Sequence, residues 1–428
     1  MRLNLAVALL PIVAVAITPL ACSSSTTSDD SAANDGDAGD TGDSGDTTDT
    51  GTTTNPDASG PFTPGAYPGG YPQVPNNGSA VMSNFSLVAI IPSGEDTVGL
   101  NHFADTFAGS TTFQAVSSEY GLGTPTASTM AGSAMTAGEN TTNQIQTYIT
   151  DTIGSPASNT IYLVFMPATS WLEYGGVSQK GCHANDDPNA SGVGGYHVPF
   201  GGNAAWGVVQ HCTGDPTHTD SQLVEIAASH EVVEAATDKD GVSGYALPAV
   251  QQASDWPTNS IWDDLLLTEI GDLCVSTEYT EGSYTFQRFW SNKAAASSAD
   301  PCIPAIPIYF NTATVGADAN GWFKATGSTL TIPIEGFSTA ALAPWIVASA
   351  TGSSPAQATA NGFVISVNGT GTSMGQPSIG NGEKGSVVIN IPSAAQSGDW
   401  AAFELESASS GISVGENFHV WPFGVYVP

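Results

Sequence analysis

The sequence predicts a layered α/β (α+β) domain followed by an all-β sandwich domain, and three observations carry that prediction. Between residues 84 and 303, short apolar runs alternate with stretches whose apolar residues recur at three- and four-residue steps. That is the pattern of strands alternating with helices. Between 304 and 428 the apolar runs are short, regular and separated by Gly and Ser turns, as in an Ig-like sandwich. Ahead of both, residues 23–60 are Ser, Thr, Gly, Ala and Asp almost throughout, with no apolar periodicity, so no core can form there.

Residues 1–22 read as a secretion signal: Arg2 supplies the positive charge, Leu3 to Ile17 the apolar run, and Leu20-Ala21-Cys22 the end. Leu-Ala-Cys resembles a bacterial lipobox, in which Cys22 is diacylated and becomes the mature N-terminus. The alternative is an ordinary signal peptide cut near Ala21. One acyl chain binds a bilayer reversibly, whereas more than one anchors stably. The lipobox reading therefore implies an exported chain, lipid-anchored to a bacterial membrane and facing the periplasm or cell surface. Residues 23–83 then form a linker. Its first part is a tether in which Gly36–Asp40 and Gly42–Asp46 nearly repeat, and repulsion among the aspartates extends it. Residues 61–83, rich in Pro and Gly, form a stiffer linker or a strap on the body.

Within 84–303, Leu87–Ile91 and Thr160–Met166 read as buried strands, the second ended by Pro167. Helical patterns lie around Leu100–Phe107, Phe113–Tyr120 and Thr141–Ile153. His102, in the first of these, is assigned a structural role. Residues 171–218 are Gly-rich and loop-like, with Tyr196–Val198 and Trp206–Val209 as short strands. The sandwich strands are placed at Ile306–Phe310, Leu330–Ile334, Trp345–Val347, Phe363–Val367, Val387–Ile391, Ala401–Leu405 and Val420–Val427.

The chain has 428 residues and a net charge of −33, from 7 Lys and Arg against 40 Asp and Glu. Such a surface repels phosphate, which argues against nucleic acid as a partner. It suits divalent cations. Five cysteines are present. With Cys22 acylated, Cys182, Cys212, Cys274 and Cys302 remain, an even number that implies two disulfides in an exported protein. Four cysteines allow three pairings, and no C-x-x-C spacing points to a thiolate metal site.

The chemistry concentrates in Ser229–Asp238. Asp220 is taken as the N-cap of a helix in which Leu223, Ile226, Ala227, His230 and Glu234 share one face. His230 and Glu234 stand one turn apart, and Glu231 lies about 100° round the helix from His230. This is the layout of H-E-x-x-H, where residues i and i+4 hold zinc and the intervening Glu serves as general base. Here Glu234 replaces the second histidine, and zinc accepts carboxylate oxygen. A third ligand comes from Glu269 or Asp272, with Gly271 allowing the turn between them. The plain alternative is an amphipathic helix with a polar end. Asp238 either orients a ligand, binds calcium with Asp240, or caps a turn. His197 is a candidate ligand, substrate contact or transition-state donor, against the plain reading of a solvated loop histidine. His183, His211 and His218 have weaker cases. Arg288 is assigned to pairing with a buried carboxylate rather than to gripping substrate.

The blocks Ser229–Asp238, Glu269–Cys274, Gln287–Asn292 and Asp300–Cys302, in that order, resemble a family of secreted bacterial zincin-like proteins. That family is more distantly similar to the plant EXORDIUM (phosphate-induced) proteins, which carry a related His-Glu-Leu-Ala-Glu helix. The resemblance spans roughly 84–303 and implies a zincin-like, metallopeptidase-like fold. It implies pairing of sequence neighbours, Cys182–Cys212 and Cys274–Cys302. It places the loop of Trp256, Trp262 and Asp263 on a cleft wall, and His197 near a sheet edge that holds extended substrate. The expected function is a surface-anchored zinc metallopeptidase-like hydrolase with Glu231 as base, acting on a peptide or cell-envelope polymer. The alternative is a non-catalytic envelope-binding lipoprotein on a degenerate zincin scaffold. In a third reading Glu234, Asp238, Glu269 and Asp272 bind calcium for stability, although His230 speaks for zinc. No G-x-S-x-G elbow is present, which disfavours a serine hydrolase.

Overall fold

The two fully apolar runs become the central strands of a sheet, β1 (Ser86–Ile91) and β4 (Thr160–Phe165). A computed structural model describes residues 70–95, 99–174, 177–178, 194–213, 218–248, 259–262, 269–275, 277–297, 299–351, 362–373, 376–409 and 418–428. The signal segment with Cys22, the tether 23–60, Cys182, His183, Trp256 and Asp263 lie outside the described residues. Those described form a mixed α/β chain with many strands, few helices and several sheets, some antiparallel. None of their helices is long and apolar enough to cross a membrane.

The principal sheet adds β2 (Thr126–Ala131), β7 (Gly195–Pro199) and β8 (Ala205–Val209) in the order β2-β1-β4-β8-β7. All neighbours are parallel except β7, which runs antiparallel to β8. Both faces are covered, which is why β1 and β4 carry no polar alternation. Leu87, Ala89 and Ile91 face α1 (Leu100–Gly109), α2 (Thr111–Tyr120) and the long helix α4 (Asp220–Thr237). Ile90, Tyr162 and Val164 pack with Ile145 and Ile149 of α3 (Thr142–Ile153) on the opposite face. Successive side chains of a strand point to opposite faces, so one run feeds both cores. A small sheet joins β3 (Gly138–Asn140), β5 (Ser170–Tyr174) and β6 (Val177–Ser178). After α4 come the hairpin β9 (Glu278–Glu281) and β10 (Tyr284–Gln287), then the pair β11 (Phe289–Trp290) and β12 (Cys302–Ile303). The Cys274–Cys302 disulfide is present. Cys212 is also disulfide-bonded.

Downstream, β13 (Phe310–Thr314), β15 (Thr329–Ser338), β17 (Val364–Asn368) and β20 (Lys384–Asn390) form an antiparallel sheet. A second sheet has the order β14-β22-β21-β16-β19-β18. Its strands are β14 (Trp322–Lys324), β16 (Trp345–Thr351), β18 (Gly371–Ser373), β19 (Gln376–Ile379), β21 (Trp400–Ala408) and β22 (Phe418–Tyr426). The two share a core: the Phe310 and Trp345 rings lie 5.2 Å apart, and Trp345 Nε1 donates to Thr312 Oγ1 at 2.9 Å. The run expected at Ile306–Phe310 enters a strand only at Phe310. Pro304 and Pro307 lack the N–H that a ladder needs.

Residues 70–84 are a strap on the body. Tyr71, Val74 and Met82 are buried. Asn77 N donates to Gly244 O at 2.9 Å, Ser79 N to Ser243 O at 2.7 Å, and Met82 N to Ala236 O at 2.8 Å. Antiparallel bridges join Asn76 to Tyr245 and Ala246 to Glu269. Tyr71 meets the rings of Trp262, Trp290 and Trp421 at 5.6, 5.4 and 5.0 Å. Trp262 is therefore a core side chain, 4% exposed, and not a cleft wall. Its large ring finds more apolar area between the two halves than a hydrated cleft offers. The apolar core runs without a break across residue 303.

His419 of β22 sits in that core, 4.6 Å from the Tyr309 ring and 4.9 Å from the Phe310 ring. Burial, with the Arg288 charge adding to it, pushes its pKa down from 6.5 to about 3. The unfolded chain therefore takes up a proton below about pH 6.5 that the folded chain refuses until about pH 3. Stability from this group is full above 6.5 and falls with pH inside that window. Urea denaturation should show the parent losing about 2 kcal/mol relative to His419→Phe between pH 7 and pH 5. Parallel profiles would show that His419 titrates normally when folded.

Candidate metal centre

Helix α4 is started by Thr219, not by Asp220. Thr219 Oγ1 accepts from Gln222 N at 3.3 Å, and Gln222 Oε1 accepts from Thr219 N at 2.9 Å. This reciprocal capping box satisfies two helix-end donors, which Asp220 at the same place would not do. Asp220 instead opens the first turn, where negative charge suits the helix dipole. The helix is not amphipathic: every residue from Val224 to Thr237 is buried. Strands β7 and β8 cover one side and β10 the other. Gly195 of β7 permits the approach, since a Cβ there would lie 3.0 Å from Glu231 Oε1 and 2.6 Å from Val208 O.

Two side chains one turn apart on α4 fasten β10 to it. Glu225 Oε2 accepts from Thr285 N at 2.8 Å, and Ser229 Oγ accepts from Gln287 N at 2.9 Å. Four helical residues rise about 6 Å and two strand residues about 6.7 Å, so the two elements stay in step. This register brings the Gln287 amide to His230. Gln287 Nε2 donates to Gly271 O at 2.6 Å, which leaves its Oε1 facing His230 Nδ1 at 3.0 Å. An amide oxygen only accepts, so Nδ1 carries the hydrogen. The other nitrogen, Nε2, lies 2.8 Å from Glu234 Oε2 and 3.7 Å from Asp272 Oδ1.

The turn after Glu269 supplies the remaining acids. Asp272 N donates to Glu234 Oε1 at 3.2 Å, and Glu269 N donates to Asp272 Oδ2 at 3.2 Å. Gly271 is required by crowding: a Cβ there would stand 2.6 Å from Glu234 Oε1 and 2.9 Å from His230 Nδ1. The two candidates for a third ligand are sorted by this geometry. Asp272 joins His230 and Glu234, and Glu269 joins His197 and Glu234, each set with its donor atoms within 4.8 Å of one another.

His197 is not a solvated loop residue. It lies on β7 with its side chain 6% exposed, Nδ1 3.0 Å from Glu231 Oε2 and Nε2 2.9 Å from Asp238 O. Asp238 thus meets the site through its carbonyl. Asp240 caps the following turn, accepting from Ser243 N at 2.8 Å and Val242 N at 3.3 Å. Arg288 stays outside the centre and pairs with buried Asp300. His102 is exposed on α1. His211 Nδ1 pairs with Glu95 Oε1 at 2.9 Å, away from the cluster.

The charges in the cluster hold one another. Burial works against a charged His230, but Glu234 beside it overcomes this and lifts the pKa to about 10. Burial likewise opposes a charged His197, and the hydrogen bond to Glu231 raises it to about 9. Glu269 and Asp272 are pushed well above the usual carboxylate range, by burial first and then by Glu234. A cation and a proton compete for the same His230 lone pair.

The residues fit a metal ion. His230 Nε2, Glu234 Oε2, Asp272 Oδ1 and Glu269 Oε1 are buried and have no hydrogen-bond partner. His230 Nε2 and Glu234 Oε2 face each other at 2.8 Å as an ion pair, and Asp272 Oδ1 and Glu269 Oε1 are the buried oxygens that a cation among the four would satisfy. Ligand bonds of about 2.0–2.2 Å in a tetrahedral zinc site put donors about 3.3–3.6 Å apart. The observed separations of 2.8 and 3.7 Å from His230 Nε2 bracket that value. Gln287 was not readable as a site residue, because one amide on a short strand carries no spacing signal. If the cluster holds a divalent ion, replacing Gln287 by Leu should lower its affinity about 10- to 100-fold, measured by competition with a chelating dye. Unchanged affinity would show that the amide does not orient His230.

No protein-family model matches the chain, and no curated protein matches it.

Proposed function

We propose that the chain is a surface-anchored, zinc-dependent, metallopeptidase-like hydrolase that acts on a peptide or cell-envelope polymer. The carrying observation is the convergence of His230 Nε2, oriented by Gln287, with the buried carboxylate oxygens of Glu234 at 2.8 Å and Asp272 at 3.7 Å. On this reading residues 84–303 form a zincin-like domain, with the antiparallel edge strand β7 beside the helix, and 304–428 an Ig-like sandwich. Cys22 supplies the lipid anchor. His230, Glu234 and Asp272 hold the ion, and its mixed nitrogen and oxygen set favours zinc over calcium. A bound zinc polarises a carbonyl and makes water more acidic. Glu231 takes the proton from the attacking water and returns it to the leaving group. His197, donating through Nδ1, fixes the direction of the Glu231 carboxylate.

One observation favours a second reading, a non-catalytic envelope-binding protein with a structural metal. His230, Glu231, Glu234 and Asp272 are at most 3% exposed, so substrate must displace part of the cover to reach them. Metal content and peptide cleavage of the purified full chain separate the readings. Zinc with cleavage that is lost in His230→Ala supports the hydrolase. Zinc without cleavage supports the binder, and calcium alone ends both.

A further inference from the structure

We infer that the centre is dinuclear: a second divalent cation binds between His197, Glu234 and Glu269, beside the first and sharing Glu234 with it. This rests on the metal reading given above and adds a site to it. The donors of the second set are in place. One donor atom from each of His197, Glu234 and Glu269 lies within 4.8 Å of the others, and His197 Nε2 lies 3.7 Å from Glu269 Oε1. Glu269 is 5% exposed and its Oε1 has no hydrogen-bond partner. The first ion, on His230, Glu234 and Asp272, leaves that oxygen unexplained.

Charge points the same way. Glu231, Glu234, Asp238, Glu269 and Asp272 are all buried around one space. One divalent ion offsets two of these five negative charges and two ions offset four, while His197, paired with Glu231, offsets at most one more when it is not a ligand. Buried charges persist only when paired or bound to metal. A carboxylate that bridges two ions at close spacing is a standard way to hold both. His197 has the support a ligand needs. When Nε2 exchanges its contact with Asp238 O for the cation, the Nδ1 bond to Glu231 keeps the ring in place.

The test is the stoichiometry of the metal-stripped full chain titrated with Zn²⁺ alone. The parent should take up two ions per chain, and Glu269→Gln one. A parent that binds one ion, with Glu269→Gln binding the same one, overturns the second site and leaves the first standing. A parent that binds none overturns both. If Glu269→Gln does not fold, Co²⁺ loading of the parent decides. Exchange coupling between two cobalt ions in the magnetic resonance spectrum is expected, and an uncoupled spectrum at saturation refutes the shared site.

Discussion

Glu231→Gln should lower kcat toward a peptide substrate by about 10²- to 10⁴-fold while the zinc content stays at the parent level. The substitution keeps the shape of the side chain and removes only its capacity to take a proton. Glu231 is 2% exposed, its Oε2 is held by His197, and its Oε1 lies against β7. A glutamine oxygen can still accept from His197 Nδ1, so the fold around it has no reason to change. The measurement is steady-state cleavage with metal analysis of the same sample. Unchanged kcat would remove Glu231 from the chemistry. Loss of zinc along with activity would make it a ligand.

Arg288→Met should destabilise the chain by about 3–5 kcal/mol, read as a lower urea midpoint. Arg288 is fully buried. Its guanidinium pairs with Asp300 and donates to the carbonyls of Cys302 and Pro304, the latter at 2.8 Å. Asp300 in turn accepts from Cys302 N at 3.0 Å and Ile306 N at 3.2 Å. Removing the cation leaves a buried carboxylate without its counter-charge, which costs more than the pair itself contributes. Replacing both, as Arg288→Met with Asp300→Leu, should recover part of the loss. A single-variant effect below about 1 kcal/mol would mean that water reaches Asp300.

The sequence makes some of this plain and hides the rest, for physical reasons. His230 and Glu234 are legible because helix periodicity fixes which residues share a face, whatever surrounds the helix. Glu269 and Asp272 are legible as candidates, but no pattern decides between them. The choice depends on how the Gly271 turn meets Glu234. Gln287 is silent, because its role comes from the register between β10 and α4, a long-range fact. Asp220 and Thr219 both suit a helix start, and Gln222, three residues after Thr219, is the signal that decides for Thr219. The strands β14, β18 and β19 have three or four residues each and carry no long apolar run. The family resemblance places Trp262 on a cleft wall, whereas its ring partners Tyr71 and Trp421, far off in sequence, make it a core residue.

The strap gives the molecule a mechanical property. Tension applied to the chain ahead of residue 70 falls first on Tyr71, clamped among three tryptophans. From there it passes along backbone bonds from Asn77 and Ser79 into the 243–244 turn, and through the Ala246 bridge to Glu269. Tension that enters at residue 70 thus reaches, within a few bonds, an acid of the buried histidine and carboxylate cluster.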